Sequence, residues 1–459
     1  MFDFSRHGPL LGCVLLAGVA MALPERSTHT PPPPPPDPPT PPVSRPAAEA
    51  VMNLGRSAVV KVGLGGGLVP VGVPSSLDVA VEITGQEATG PSRKALVLCL
   101  DRSGSMSGGN IRDARDAAAS LIRTLGDDDE IAVVSFSSNP VLDVPLMRAT
   151  DAGKRTALMA VSDLEARGGT NLYGGLELAR REARSATAPV RRVVLLSDGI
   201  PTEGEVRPNA IMKLSRNMAG DGVVVSTLAV GAQSPGGLME RVATSSGGSY
   251  RFLRDGSGLA HALAMELKEA AAVVAQDAVI SVHIPTGTRL IRASGAMADQ
   301  SGDVVQLRLG DVVAHQTRNV LLTLSLPAEQ EHTWLIPVRA SARESGTPVG
   351  AMAEVGAVTS TDATAVARNK VGWVQVRADL ADAADEMRRA AEYAEKGDSR
   401  TAVEELDRVA TKLEAKAKDK PVLVESARKA RAFAQGASAA PSASVVANEA
   451  HEQAFGFAR

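Results

Sequence analysis

From Lys94 to about Leu267 the chain alternates short apolar runs with stripes of apolar residues at helical spacing. The run "ALVLCL" is apolar at every position, as a strand buried on both faces of a parallel sheet requires. After it, Ile111, Ala114, Ala118, Leu121, Ile122 and Leu125 recur at three- and four-residue steps and predict an amphipathic helix. "EIAVVSFSS" reads as a strand, "ALMAVSDLEA" and "LYGGLELARREARS" as helices, "VRRVVLLSDG" as a strand and "NAIMKLSRNMA" as a helix. "GVVVSTLAVG", "LMERVATSS", "GSYRFL" and "LAHALAMELKEAA" complete the series. This alternation predicts an α/β fold with a doubly wound, mostly parallel sheet and helices on both faces.

On either side of that segment the period changes. "SAVVKVGL" and "SLDVAVEITG" alternate polar and apolar residues as half-buried strands do, with "GLGGG" as a turn between them. Beyond Ala271, "AVISVHIPTGTRLIRASG", "VVQLRLGDV", "RNVLLTLSLP", "HTWLIPVRASA" and "AMAEVGAVTS" predict the antiparallel strands of a β-sandwich. The early strands are expected to join that sandwich, which makes the α/β segment an insertion. From Ala365 to Gln435 the Ala, Glu, Lys and Arg content predicts a helical hairpin. Gly397 would end one helix, and Asp398 or Ser399 would cap the next. The Ala/Ser-rich end is expected to be flexible, with "HEQAFGFAR" a candidate docking segment. The resulting division is 51–92 and 271–364 for the sandwich, 93–270 for the α/β domain, 365–437 for the hairpin and 438–459 for the tail.

The first 22 residues read as an export signal. Arg6 precedes the apolar core Pro9 to Leu23, which is short for a membrane span, and "AMA" fits a cleavage site. "LLGC" at Cys13 resembles a lipobox, but most of the apolar stretch follows the cysteine, which favours cleavage near Ala22. Residues 23–50 contain "PPPPPPDPPTPPVSRP", an extended spacer in polyproline II geometry. The expected location is therefore periplasm, cell surface or medium. Cys99 is then the one cysteine of the mature chain and is expected in the core. A formal net charge of −3 and 3% aromatics argue against nucleic acid and against a base-stacking surface.

In an open α/β sheet, ligands bind at the carboxyl ends of strands. Three such ends carry oxygen donors: Asp101, Ser103 and Ser105 in "DRSGSM", Thr170 in "RGGTN", and Asp198 in "LLSDG". Two carboxylates and three hydroxyls form a hard-oxygen set suited to Mg²⁺, and the absence of Cys and His from these turns argues against zinc. Each piece alone also fits a helix cap or an Asp-Gly turn. The "GDDDE" at Gly126 to Glu130 reads as a solvated turn rather than a calcium loop.

These residues resemble the metal-ion-dependent adhesion site of von Willebrand factor type A domains. The likeness runs over about residues 94–270 and includes "SDGIPTEG" and "STLAVGAQSPGGLMERVATSSGGSYRFL". Beyond that range the chain is more weakly similar to exported bacterial proteins of the inter-alpha-trypsin inhibitor heavy-chain type. The resemblance implies that Asp101, Ser103, Ser105, Thr170 and Asp198 hold Mg²⁺, or Mn²⁺ or Ca²⁺, directly or through water. It further implies that an acidic side chain of a protein partner completes the coordination, with Met106, Asn171 and Gly199 around it. Adhesion or assembly of an envelope complex is the expected role. Two other readings stand beside it: a structural subunit whose metal only stiffens the loops, or recruitment by the helical hairpin. A phosphohydrolase of the haloacid dehalogenase type would need a second Asp where Ser103 stands, so no enzyme activity is expected.

Overall fold

The all-apolar runs form the inner strands of a six-stranded sheet in the computed structural model, which describes residues 45–87, 92–327 and 330–459. Residues 1–44, with the expected export signal and most of the proline run, lie outside the described residues. The strand order is Tyr250–Leu253, Val223–Val230, Val190–Ser197, Lys94–Asp101, Glu130–Phe136 and Pro140–Arg148. The first five run parallel and the last antiparallel. Successive side chains of Lys94–Asp101 point to opposite faces. Leu96, Leu98 and Leu100 therefore meet the helices Gly109–Thr124 and Leu259–Ala271. Val97 and Cys99 meet Leu172–Ser185 and Pro208–Gly220 on the other face. The sheet is doubly wound.

The edge strand Pro140–Arg148 has no counterpart among the predicted elements, because Pro140 opens it, Pro145 interrupts it, and Val141 and Leu142 are exposed. Proline is tolerated there because one side of an edge strand has no partner. In "GDDDE", only part of the turn is solvated. Asp129 is buried and accepts from Lys94 Nζ at 2.7 Å. Glu130 is buried too and accepts from the backbone of Thr187 and Ala188.

The sandwich contains strands from both sides of the α/β segment. One sheet runs Glu49–Leu54, Ala58–Leu64, Ser75–Gly85, Thr317–Leu326, Arg289–Ser294. The other runs Ala298–Ser301, Val304–Val313, Val273–His283, Thr333–Glu344, Thr347–Ser360, Leu68–Pro70. Ser75–Gly85 pairs with Thr317–Leu326 from Ser75↔Leu326 to Thr84↔Thr317. The inner faces share one apolar core that includes Val60, Val79, Ile280, Leu322, Leu324 and Trp334.

The segment expected as a hairpin is larger than that. After the short helix Ala363–Arg368, Gly372–Glu395 and Ser399–Lys416 form the hairpin, and Pro421–Ala437 adds a third helix with Pro421 in its first turn. Gly397 turns the hairpin at φ +85°, and Asp398 rather than Ser399 is the cap, accepting from Thr401 N at 3.1 Å. The tail expected to be flexible is the helix Ala443–Ala458. It is apolar on two faces, so two layers cover it: Phe455 packs with the α/β core, while Ala450, Ala454 and Phe457 pack with the helical layer. Among the described residues no helix is long and apolar enough to cross a membrane.

His451 of that helix is buried between Glu240 Oε2, 2.8 Å from Nδ1, and Glu395 Oε1, 3.3 Å from Nε2. Burial pushes its pKa down, but hydrogen bonds to the two carboxylates and their charge outweigh that and hold it at about 9. Its protonated form thus contributes stability that is fully present below about pH 6.5 and lost as pH rises through about 9. We expect the unfolding midpoint to fall between pH 7 and 10, with His451→Gln removing a component on the order of 3 kcal/mol. Equal slopes in the two proteins would show that the imidazole carries no charge in the folded chain.

Candidate metal centre

Asp101 ends one central strand, and Asp198 follows its neighbour Val190–Ser197. From the first strand the chain continues to Glu130–Phe136 on one side of the sheet. From the second it continues to Val223–Val230 on the other. The two carboxylates therefore stand at the topological switch point, where the connections diverge and leave a crevice.

Local geometry turns the side chains toward one another. A single 3-10 turn, Gly104–Met106, follows Asp101, so Ser103 Oγ and Ser105 Oγ lie 2.9 Å apart. Ser103 N donates to Asp101 Oδ1 at 2.7 Å, and Ser105 Oγ donates to Asp198 Oδ1 at 2.6 Å. Thr170 arrives on a loop tied down at several points. Gly104 N donates to Gly168 O at 2.9 Å, and Thr170 N donates to Thr202 Oγ1 at 2.9 Å. Gly168 takes φ +76° in that loop, a conformation that favours glycine.

Gly199 decides the shape of the space between them. A Cβ there would lie 3.2 Å from Ser105 Oγ, 3.3 Å from Thr170 Oγ1 and 3.9 Å from Ser103 Oγ. Three hydroxyls thus border one small volume that is open because position 199 carries no side chain. Asp101 is fully buried at 0% exposure, Ser103, Thr170 and Asp198 are buried, and Ser105 is exposed. The cluster opens to solvent on the Ser105 side.

The electrostatics call for positive charge. Burial pushes the Asp101 carboxyl up to about 6, against hydrogen bonds from Ser197 and Ser103, and the charge of Asp198 adds to the rise. Burial also raises Asp198, offset in part by Ser105 and Asn110. No His or Cys touches these carboxylates, and among the described residues no three His, Cys, Asp or Glu side chains cluster for a metal. The donor set is oxygen throughout, rich in neutral hydroxyls, and open on one side. It fits a hard divalent cation such as Mg²⁺.

All five residues expected at the site are brought together. Of the three expected around them, Gly199 lies at the cradle, while Met106 and Asn171 have other tasks. Met106 is 0% exposed and plugs the core beneath the turn. Asn171 caps the helix Leu172–Ser185, accepting from Gly174 N at 2.9 Å. Gly199 is buried and shapes the cradle. The exposed apolar neighbour is instead Ile200, at 64%.

Three supporting residues escaped the sequence reading. Ser197 Oγ donates to Asp101 Oδ2 at 2.6 Å, and Asn110 Nδ2 donates to Asp198 Oδ2 at 3.1 Å. Thr202 holds the Thr170 backbone. Ser197 left a signal, as a hydroxyl that closes an otherwise apolar run, and Asn110 left a weaker one in the first turn of its helix. Thr202 left none.

The model of the von Willebrand factor type A domain matches residues 95–263. The chain carries a von Willebrand factor type A domain. Among curated proteins it is 28% identical over 270 residues to inter-alpha-trypsin inhibitor heavy chain H4 of Sus scrofa, across 53% of this chain and 28% of that one. It spans less than a third of the length of the first curated relatives it matches, at 28%, 29% and 28%. Among solved structures, the von Willebrand factor type A protein from Catenulispora acidiphila aligns at TM-score 0.67 and 19% identity, over 83% of this chain and 91% of that one. The ArnB paralog VWA2 from Sulfolobus acidocaldarius aligns at TM-score 0.63 and 17% identity, over 88% and 99%. Both alignments reach well beyond the 95–263 domain, so the wider architecture, and not the α/β sheet alone, is a shared fold.

Proposed function

We propose that this protein is an exported, non-enzymatic binding module whose type A domain holds a divalent cation and captures an acidic side chain of a protein partner. Asp101, Ser103, Ser105, Thr170 and Asp198 are its metal-holding residues, and Mg²⁺ is the first candidate, with Mn²⁺ and Ca²⁺ as alternatives. The observation that carries the reading is the cradle over Gly199, bordered by three hydroxyls and backed by two carboxylates. The bound ion would supply an electrophilic site for a partner carboxylate.

The residues of this chain have separable tasks in that reading. Asp101 and Asp198 offset the charge of a divalent ion. Ser197, Asn110 and Thr202 keep the donors in place, since each is hydrogen-bonded to a metal-holding residue. The half-open Ser105 side admits the partner, and Ile200 offers it an apolar contact. The export signal and proline-rich spacer expected from the sequence are in keeping with a role in adhesion or envelope assembly.

The test is capture from an envelope extract by the immobilised full chain, with Mg²⁺ or with EDTA. We expect a partner that is retained with Mg²⁺, released by EDTA, and not retained by Thr170→Ala. A partner held equally well in EDTA would instead assign recruitment to the helical layer or the sandwich.

A further inference from the structure

Away from the metal-holding residues, a cavity of about 310 Å³ lies where the type A domain, the sandwich and the C-terminal helix meet. That is near the lower end of the range for small-molecule sites, about 300–1,000 Å³, which often lie between structural units. Its walls carry Arg251 and Glu269 from the type A domain, Thr317 and Arg318 from the strand Thr317–Leu326, and Glu452 and Arg459 from the chain's end.

Arg318 is the unexplained residue. It is only 9% exposed, and its Nη1 is buried without a hydrogen-bond partner among the described residues. Buried charges in folded proteins are normally paired. The other cations here have direct partners. Arg192 contacts Glu266 and Asp311, each at 3.2 Å. Arg251 lies 3.5 Å from Glu269, and Arg459 donates to the carbonyls of Gly247 and Gly248. Burial depresses the Arg318 pKa to about 10, and the nearby carboxylates Glu269, Asp311 and Glu266 only partly offset it.

We propose that this cavity binds phosphate, free or as the head of a small metabolite, with Arg318 as the principal ligand. A planar guanidinium with free donors matches the oxygens of a phosphate. The two glutamates on the walls select within the anions. Any anion meets Glu269 and Glu452 as like charges, but hydrogen phosphate keeps a P–OH that can donate to one of them and offset that repulsion, whereas an ionised carboxylate only accepts. Thr317 Oγ1, 2.9 Å from Thr84 Oγ1, adds a hydroxyl at the lip.

The test uses the full chain with inorganic phosphate, glycerol phosphate, succinate and NaCl at matched ionic strength, read by thermal unfolding and by ³¹P line broadening. Phosphate should raise the midpoint saturably, and succinate and NaCl should not. A stronger response to glycerol phosphate would identify the head of a metabolite, and a stronger response to phosphate the free ion. Arg318→Gln should weaken the apparent affinity by about tenfold or more, without lowering the phosphate-free midpoint. Arg318→Lys, which keeps the charge but loses the fork, should weaken it less, and it serves if the Gln variant does not fold. Asp101→Ala should respond to phosphate as the parent does, which separates this site from the metal centre.

Three results would overturn the proposal. One is a phosphate response no larger than that of NaCl or succinate. Another is an unchanged response in both Arg318 variants. The third is a lower phosphate-free midpoint in Arg318→Gln with the phosphate response intact, which would make Arg318 a distant counter-charge for Glu266, Glu269 and Asp311.

Discussion

Mg²⁺ or Mn²⁺ is expected to raise thermal stability, and Asp101→Ala to abolish that rise while the fold remains. A cation that binds only the folded chain stabilises it by about 2.7 kcal/mol at one hundred times its dissociation constant. Removing Asp101 deletes one of the two carboxylates that offset the ion's charge, so the gain should fall below detection at that concentration. Without metal the variant should differ little from the parent, because two local effects oppose each other. Truncation orphans the Ser103 N–H and the Ser197 hydroxyl, which now hydrogen-bond to Asp101. It also removes a buried carboxylate that burial and Asp198 disfavour in its charged form. Each is worth roughly 1–3 kcal/mol, with opposite sign. Thermal unfolding of parent and variant in EDTA and in a metal series decides the matter. A variant that keeps the full metal response would remove Asp101 from the site.

The second large effect lies at Arg192, which is 2% exposed and joins the type A domain to the sandwich. Its guanidinium reaches Glu266 of the helix Leu259–Ala271 at 3.2 Å, and Asp311 of the strand Val304–Val313 at 3.2 Å. Glu269 follows at 3.9 Å. Arg192→Met would leave Glu266 and Asp311 buried without their cation, and breaking a buried pair in this way costs about 3–5 kcal/mol. Urea unfolding should show that loss near neutral pH. The pH dependence gives a second check. Burial already raises the Asp311 pKa even beside Arg192, and without the arginine it rises further. The deficit should therefore shrink as pH falls from 8 toward 5 and the buried carboxyls take up protons. A loss below about 1 kcal/mol, or one independent of pH, would show that water reaches the cluster.

Much of the candidate site was legible because its parts are local. A strand too apolar for anything but a sheet interior must end somewhere, and Asp101 and Asp198 mark two such ends. The hydroxyls of Ser103 and Ser105 follow within a single turn. What surrounds the centre was harder to read, because it depends on contacts between distant segments. Met106 looked available as an apolar residue in a loop, yet only the packed turn reveals that it faces inward. Thr202 acts through a backbone contact that leaves no trace in composition. The C-terminal helix was hidden by its Ala/Ser-rich approach and by apolar residues on two faces, which leave only a narrow polar stripe at Glu449, Glu452 and Gln453. Asp129 and Glu130 looked like a solvated charge run because Lys94 and the backbone of Thr187 and Ala188 lie far from them in the chain.

The interrupted sandwich bears on how the chain folds. Asp78 and Thr323 hydrogen-bond across neighbouring strands although 245 residues separate them. Closing a flexible loop of that length costs about 5 kcal/mol in the ideal-chain limit, before any strand contact offsets it. The two ends of the inserted domain nevertheless lie side by side. Ser92 Oγ donates to Val273 O at 3.3 Å, and Gly85 N donates to Gln316 O at 3.0 Å. An α/β domain that folds first therefore takes residues 93–272 out of that loop and brings the late strands toward the early ones. Such an order leaves Ser75–Gly85, already paired with Ala58–Leu64 on one side, with its other edge open until Thr317–Leu326 arrives. A lesion that slows folding of the type A domain should then appear first as aggregation through that open edge of Ser75–Gly85.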